Sequence, residues 1–269
     1  MSTPRVAALY IYPLKGARAI ALERSDVLRG GLRHDRRFMA LDAGGKFVTQ
    51  REHPKMALVT TAIEGGELVL SLPSGTRAAV PLDAAGPRRT VKVWDDEVVA
   101  VDVGGAGAAL LSDHLGQRCA LVRMPPETIR QVDRDYAREG DRVGFADGYP
   151  VLVASLASLA DLNARLATPV GIDRFRANVI VDGAEAWAEE GARVRIGDLA
   201  LRTPKRCSRC QVITIDQTTA ATSKEPLRTL ATFRKEGNKV NFAMNAIPDA
   251  EGSIAIGDPV VFDSFDPLR

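Results

Sequence analysis

The segment Lys205-Arg206-Cys207-Ser208-Arg209-Cys210 places two of the chain's three cysteines three residues apart, among three cations. A thiol is a nucleophile or metal ligand only as its thiolate, and neighbouring Lys and Arg lower its pKa. Four chemistries are open to such a pair. Half of a zinc site needs two more soft ligands, for which the chain offers only Cys119 and the scattered His34, His53 and His114. A thioredoxin-type redox pair should open a helix after a strand, whereas Gln211-Val212-Ile213-Thr214-Ile215-Asp216 predicts a strand after the pair. The thiols can also be inert strand cysteines. In the fourth reading one thiolate holds a metal that a cofactor mostly ligates itself.

No other motif competes. Gly104-Gly105-Ala106-Gly107-Ala108-Ala109 follows a strand and opens a helix like a dinucleotide loop, but its third small position falls on Leu110, so it reads as a plain turn. None of the histidines has a partner at i+4, and Cys119, in an apolar run, reads as a small core residue.

The elements that must position these residues are mostly short strands. Arg5–Tyr12 is β-prone, and three hairpins are predicted: Arg37–Leu41 with Lys46–Thr49, Ala57–Ile63 with Glu67–Leu72, and Thr90–Trp94 with Glu97–Val103. A helix over Ala106–Leu115 ends at Gly116, and Cys119–Met124 returns to strand. The polar stretch Pro125–Gly148 reads as a connecting or active-site loop. Beyond it, Ser155–Leu166 has helical periodicity, Asn178–Asp182 is a strand, and a helix runs from Pro226 to about Arg234. Two similar turns, Gly197-Asp198 and Gly257-Asp258, each lie between short apolar strands (Val194–Ile196 and Leu199–Leu201; Ile254–Ile256 and Val260–Phe262). The pattern predicts a β-rich α+β protein of barrel or sandwich type, with a domain boundary near Met124 separating residues 1–124 from 125–269.

A chain of 269 residues with 45% hydrophobic and 26% charged residues can bury a substantial core. Its formal charge of +2 and 5% aromatic content argue against a nucleic-acid binder. No apolar stretch approaches a membrane span, the N-terminus lacks a signal-peptide pattern, and the sparse cysteines fit a reducing compartment, so a cytoplasmic protein is expected.

Seven segments in order resemble the MOSC family, in the branch of the amidoxime-reducing components and their bacterial relatives. They are Tyr12-Pro13-Leu14-Lys15-Gly16, His34-Asp35-Arg36-Arg37-Phe38-Met39, Thr49-Gln50-Arg51-Glu52-His53-Pro54, Phe145–Pro150 with Asp161–Leu166, Arg174–Val181, Cys207–Cys210 with Glu225–Leu230, and Asn245 with Ile256–Val260. The resemblance implies an N-terminal β-barrel domain packed on a MOSC β-barrel domain with a few peripheral helices. It also implies a molybdenum cofactor (a Mo-molybdopterin) whose metal takes the thiolate of Cys210, Cys207 being a neighbour without a ligand role. Lys15, Arg36, Arg176, Asn178, Ser208 and Arg209 are implied cofactor contacts, in keeping with the affinity of Lys and Arg for a phosphate. A family-level association with pyridoxal phosphate comes with it.

The implied activity is reduction of small N-hydroxylated compounds to the N–H product and water; the resemblance assigns no proton source, and Asp147 is a candidate by residue type alone. Because the sequence contains no Cys-x4-Cys-x2-Cys pattern, electrons are expected from a separate reductase or ferredoxin-type partner. Two departures from the family are Gly16, where many relatives carry a small hydroxyl residue, and Ala177 in place of a frequent proline. Two other functions fit the same residues: a persulfide carrier using Cys207 or Cys210, and a molybdenum-cofactor-binding protein without turnover.

Overall fold

Residues 3–264 are described by the computed structural model. Alternation in Arg5–Ile11 buries Val6, then changes phase to bury Leu9 and Ile11, because a bulge between Val6 and Ala8 interrupts its pairing with Val179–Asp182. This strand belongs to a nine-stranded sheet. The sheet runs in the order Val260–Ser264, Ala192–Ile196, Leu199–Ser208, Lys239–Pro248, Val151–Ser155, Val179–Asp182, Arg5–Ile11, Ile20–Leu22, with Lys235–Glu236 paired onto Lys239–Pro248. Strands from both sides of Met124 therefore share one sheet. Its Val151–Ser155 and Val179–Asp182 strands are parallel, and the helix Leu156–Asn163 lies on the crossover between them. Ser155 caps that helix by accepting from the Ser158 N–H at 3.1 Å.

Residues between these strands form a four-stranded sheet (Phe38–Leu41, Ala120–Arg123, Asp96–Asp102, Arg88–Val93) and a three-stranded one (Thr60–Glu64, Glu67–Ser71, Arg77–Pro81). The helix Gly105–Leu115 packs on the latter, burying Leu110 and Leu111 against Leu68, Leu70 and Val80. The expected β-rich α+β class is what the structure has, although among the described residues no sheet closes into a barrel.

Several local expectations fail: the Lys46–Thr49 arm of the first hairpin makes only an isolated bridge, Phe47 to Leu41, and Pro54–Leu58 is a 3-10 turn that delays the next strand to Thr60–Glu64. Gln211–Thr214 is a 3-10 turn, not a strand: Ile213 and Ile215 are buried, and Ile213 enters the core with Phe175 and Phe242, overriding β propensity. A strand, Leu199–Ser208, instead leads into the cysteine pair. The strands on either side of Gly257-Asp258 form as expected, Gly252–Ala255 joining Arg24–Leu28 and Val260–Ser264 joining Ala192–Ile196. Their turn is pinned to Val6, whose N–H donates to the Asp258 carbonyl at 2.9 Å. The third hairpin turns at Trp94-Asp95, one residue early, with Trp94 at φ +56°.

Candidate functional site

A cavity of about 370 Å³ opens where the large sheet meets the sheets built from the chain's first half. Lys15, Arg36, Arg176, Asn178, Ser208, Arg209 and Cys210, separated by up to 195 residues of sequence (210 − 15), all line it. Lys205, Arg206, Lys239 and Arg51 add four more cations against one carboxylate, Asp147.

Cys207 and Ser208 end the long strand, and Cys210 begins the 3-10 turn. The two sulfurs have different partners. Arg51 Nε donates to Cys210 Sγ at 3.4 Å, and Arg209 Nη1 donates to Cys207 Sγ at 2.8 Å while its Nη2 reaches the Phe175 carbonyl at 2.8 Å. Each sulfur therefore faces its own guanidinium. Cys207 is thus a partner of Arg209. Cys119 is buried in the core of the first half, as its apolar run predicts.

The cation cluster is built by strained backbone. Arg36 and Arg176 have φ of +47° and +55°, a left-handed region costly for any residue with a Cβ, and Trp94 shares it. Both guanidinium carbons of the two arginines lie 4.3 Å from the Tyr12 ring centroid. Arg36 also donates to Asp35 (2.6 Å), Asn178 Oδ1 (3.1 Å) and the Arg176 carbonyl (3.1 Å). Burial lowers the Arg176 pKa to about 10 and raises that of Tyr12 to about 12, so the ring between two cations stays neutral. Asn178 is committed to the frame: Oδ1 also accepts from the Leu152 N–H (3.1 Å), and Nδ2 donates to the Tyr10 carbonyl (3.1 Å).

Lys15 Nζ donates to the Phe145 carbonyl at 2.7 Å and to Asp147 Oδ1 at 2.5 Å. Burial lowers its pKa, opposed by the Asp147 charge. Desolvation pushes the Asp147 carboxyl up, but Lys15, Arg51 and the Trp94 Nε1–H at 3.2 Å outweigh it and hold that group far below the ordinary carboxylate range. These contacts favour the carboxylate form of Asp147. The loop holding it is organised by buried Arg130, which donates to the Gly144, Ala146 and Asp147 carbonyls at 3.0, 2.6 and 3.0 Å.

Sequence reasoning did not assign roles to Arg51, Tyr12, Asp35, Gln50, Trp94 or Gln217. The first four lie inside the motifs that resembled a family, a signal that was available. Trp94 and Gln217 lie outside them.

The cavity fits an anionic group. Among the described residues four buried side-chain polar atoms have no partner, and three of them, Thr49 Oγ1, Tyr149 OH and Arg209 Nε, belong to residues lining this cavity. Buried donors without partners are costly unless a ligand completes them. No three His, Cys, Asp or Glu residues among those described converge as a metal cluster, and the soft side chains lining the cavity are Cys207 and Cys210.

Two family descriptions match the chain: the MOSC N-terminal beta barrel domain over residues 3–118 and the MOSC domain over residues 140–261. Mitochondrial amidoxime-reducing component 1 of Mus musculus is 32% identical over 276 residues, covering 95% of this chain and 81% of the relative. The chain belongs to the MOSC family. The Homo sapiens component 1 is equally similar, at 32% over 95% of the chain and 82% of the relative. A molybdenum cofactor sulfurase of Oryza sativa subsp. japonica is 27% identical over 91% of the chain, which spans 32% of that protein. The solved YUAD protein from Bacillus subtilis aligns over 96% of this chain and 94% of its own, with 14% identity and a TM-score of 0.45. The names of these relatives refer to amidoxime reduction and to the molybdenum cofactor. No helix among the described residues is long and apolar enough to cross a membrane.

Proposed function

We propose that this MOSC protein is a molybdenum-cofactor-dependent reductase that converts N-hydroxylated compounds to their N–H products and water, taking electrons from a separate carrier. The observation that carries the reading is the arrangement at Cys210: a thiol with a guanidinium on its sulfur, in a cationic cavity containing unpartnered buried donors. The names of the amidoxime-reducing relatives supply the reaction class.

Cys210 would hold the metal as thiolate, while Ser208, Arg209, Lys15, Arg36 and Arg176 receive the anionic remainder of the cofactor, Arg209 Nε and Thr49 Oγ1 gaining the partners they lack. Asn178 acts one step back, fixing Arg36 and the Tyr10 and Leu152 main chains. When bound, the group supplies the two-electron reduction of the N–O bond. The net change is R–NH–OH plus two protons and two electrons to R–NH2 plus water. The Asp147 carboxylate, fixed as an anion, keeps Lys15 Nζ protonated and aimed into the cavity, which makes Lys15 the buried proton-holding group there.

Metal analysis of purified protein tests the ligand: molybdenum content should fall to background in Cys210→Ala and persist in Cys207→Ala and Cys119→Ala. Equal retention without Cys210 would overturn it. Reduction of N-hydroxyadenine by reduced methyl viologen should follow the same pattern.

The contact of Arg209 with the Cys207 sulfur favours one second reading, a persulfide carrier at Cys207. It predicts a reductant-labile added sulfur on that residue by intact mass.

A further inference from the structure

A second groove, of about 530 Å³, lies behind the chain neighbours of Cys210. Arg209 forms a wall common to both cavities, and Gln211 lines the groove alone. The rest is supplied by the segment around Ser223–Lys224, the helix Leu227–Phe233 and the Lys235–Val240 hairpin. Its charged lining residues are Arg209, Lys224, Arg228 and Lys235, with no carboxylate among them. Arg228 is paired with Glu225 at 2.6 Å, while exposed Lys224 and Lys235 have no ion-pair partner among the described residues. The whole chain balances 36 Lys and Arg against 34 Asp and Glu, so this excess is local.

We infer that this groove docks a small acidic iron–sulfur carrier of ferredoxin type, which passes electrons inward past Arg209 and Gln211 to the centre held by Cys210. The inference rests on the reductase reading and names the partner of that site. Two reduced carriers, each giving one electron, are oxidised per N–OH bond cleaved, and the two protons come from solvent. Charge complementarity of this kind steers encounter and sets orientation more than it adds affinity. A protein occupant is favoured over an anionic membrane because none of the exposed large hydrophobic side chains among the described residues lines the groove, and a membrane-surface site needs such residues to insert.

The test uses the purified full chain with its cofactor and a plant-type [2Fe–2S] ferredoxin kept reduced by its NADPH-dependent reductase. Calorimetry at roughly 20 mM ionic strength should detect binding that weakens steeply with salt. The double variant Lys224→Glu/Lys235→Glu should lose about tenfold or more in ferredoxin affinity and in ferredoxin-supported kcat/KM, the difference collapsing near 0.5 M salt. Its turnover with reduced methyl viologen should match the unmodified protein, since neither lysine lines the candidate active site. Unchanged ferredoxin binding in the double variant, or no binding by the unmodified protein at low salt, would overturn the inference. So would binding to vesicles of mixed phosphatidylcholine and phosphatidylserine that is lost in the double variant while ferredoxin binding persists. If methyl viologen drives no turnover at all, the reductase reading fails on its own, and the binding arms still decide the docking surface.

Discussion

The Gln50–Gln217 pair ties the segment after the cysteines to the first half of the chain, and its energy can be worked out from its bonds. Both residues are buried, at 2% and 4% exposure. Gln50 Nε2 donates to Gln217 Oε1 at 3.1 Å and to the Gly16 carbonyl at 2.7 Å. Gln217 Nε2 donates to Gln50 Oε1 at 3.0 Å and to the Ile215 carbonyl at 3.1 Å. At about 1 kcal/mol net per hydrogen bond, Gln50→Ala loses three bonds and about 3 kcal/mol, while Gln217→Ala loses four and about 4 kcal/mol, the fourth being the one from Arg176 Nη1. The double variant loses five distinct bonds, about 5 kcal/mol, against about 7 if the single effects added. The coupling of about 2 kcal/mol is the two shared bonds. Urea unfolding of the four proteins, compared at constant slope, reads this directly. Additivity within about 0.5 kcal/mol would refute the reasoning, because it would mean that the two amides do not hold each other. The same variants should loosen the cofactor, since Gln217 Oε1 also accepts from Arg176 Nη1 at 3.4 Å.

Other consequences follow from the frame around the cations. Gly144→Ala places a Cβ 2.8 Å from the Arg36 carbonyl and should cost about 1–3 kcal/mol in urea unfolding, with lower molybdenum content; wild-type values of both would show that Arg36 is held elsewhere. Asp35→Ala leaves Arg36 Nη1 and the Tyr12 N–H without their carboxylate and should cost about 3–5 kcal/mol, a loss under about 1 kcal/mol being incompatible with a buried pair. Asp147 has a folded-state pKa below its unfolded value, so its stabilising effect is complete above the unfolded pKa of about 4 and is lost as pH falls further. The stability difference between wild type and Asp147→Asn should therefore be constant from pH 7 to about 5 and shrink below about 4; a difference unchanged down to about pH 3 would contradict the ion pair.

How much of this was readable in advance depended on whether a feature is local. Turns carried by glycine pairs, such as Gly65-Gly66 at φ +57° and +84°, form where the residues predict them, because the needed conformation is a property of the residue itself. The strand predicted over Gln211–Asp216 fails because the fate of Ile213 is decided by Phe175 and Phe242, distant in sequence. The convergence of Lys15, Arg36, Arg176 and Arg209 was legible only through the resemblance of whole motifs, since composition shows an almost neutral chain. The different partners of the two sulfurs, Arg51 on Cys210 and Arg209 on Cys207, were not legible, since they join residues up to 159 apart.

Asp147 shows most clearly where reading from sequence stops. A carboxylate near a proposed reducing centre is a reasonable proton donor from its type alone. Its protonation state, however, is set by an ammonium 132 residues earlier, an indole 53 residues earlier and the Arg51 guanidinium, none of them near it in the chain. On the proposed reading, those three contacts invert its role from giving a proton to holding one on Lys15. The inversion predicts that Lys15→Met should abolish both molybdenum retention and turnover, whereas Asp147→Asn should retain the metal and lower kcat chiefly above neutral pH, where Lys15, without its counter-charge, loses its proton earlier. A profile for Asp147→Asn that falls on the acid side instead would return the proton to the carboxyl.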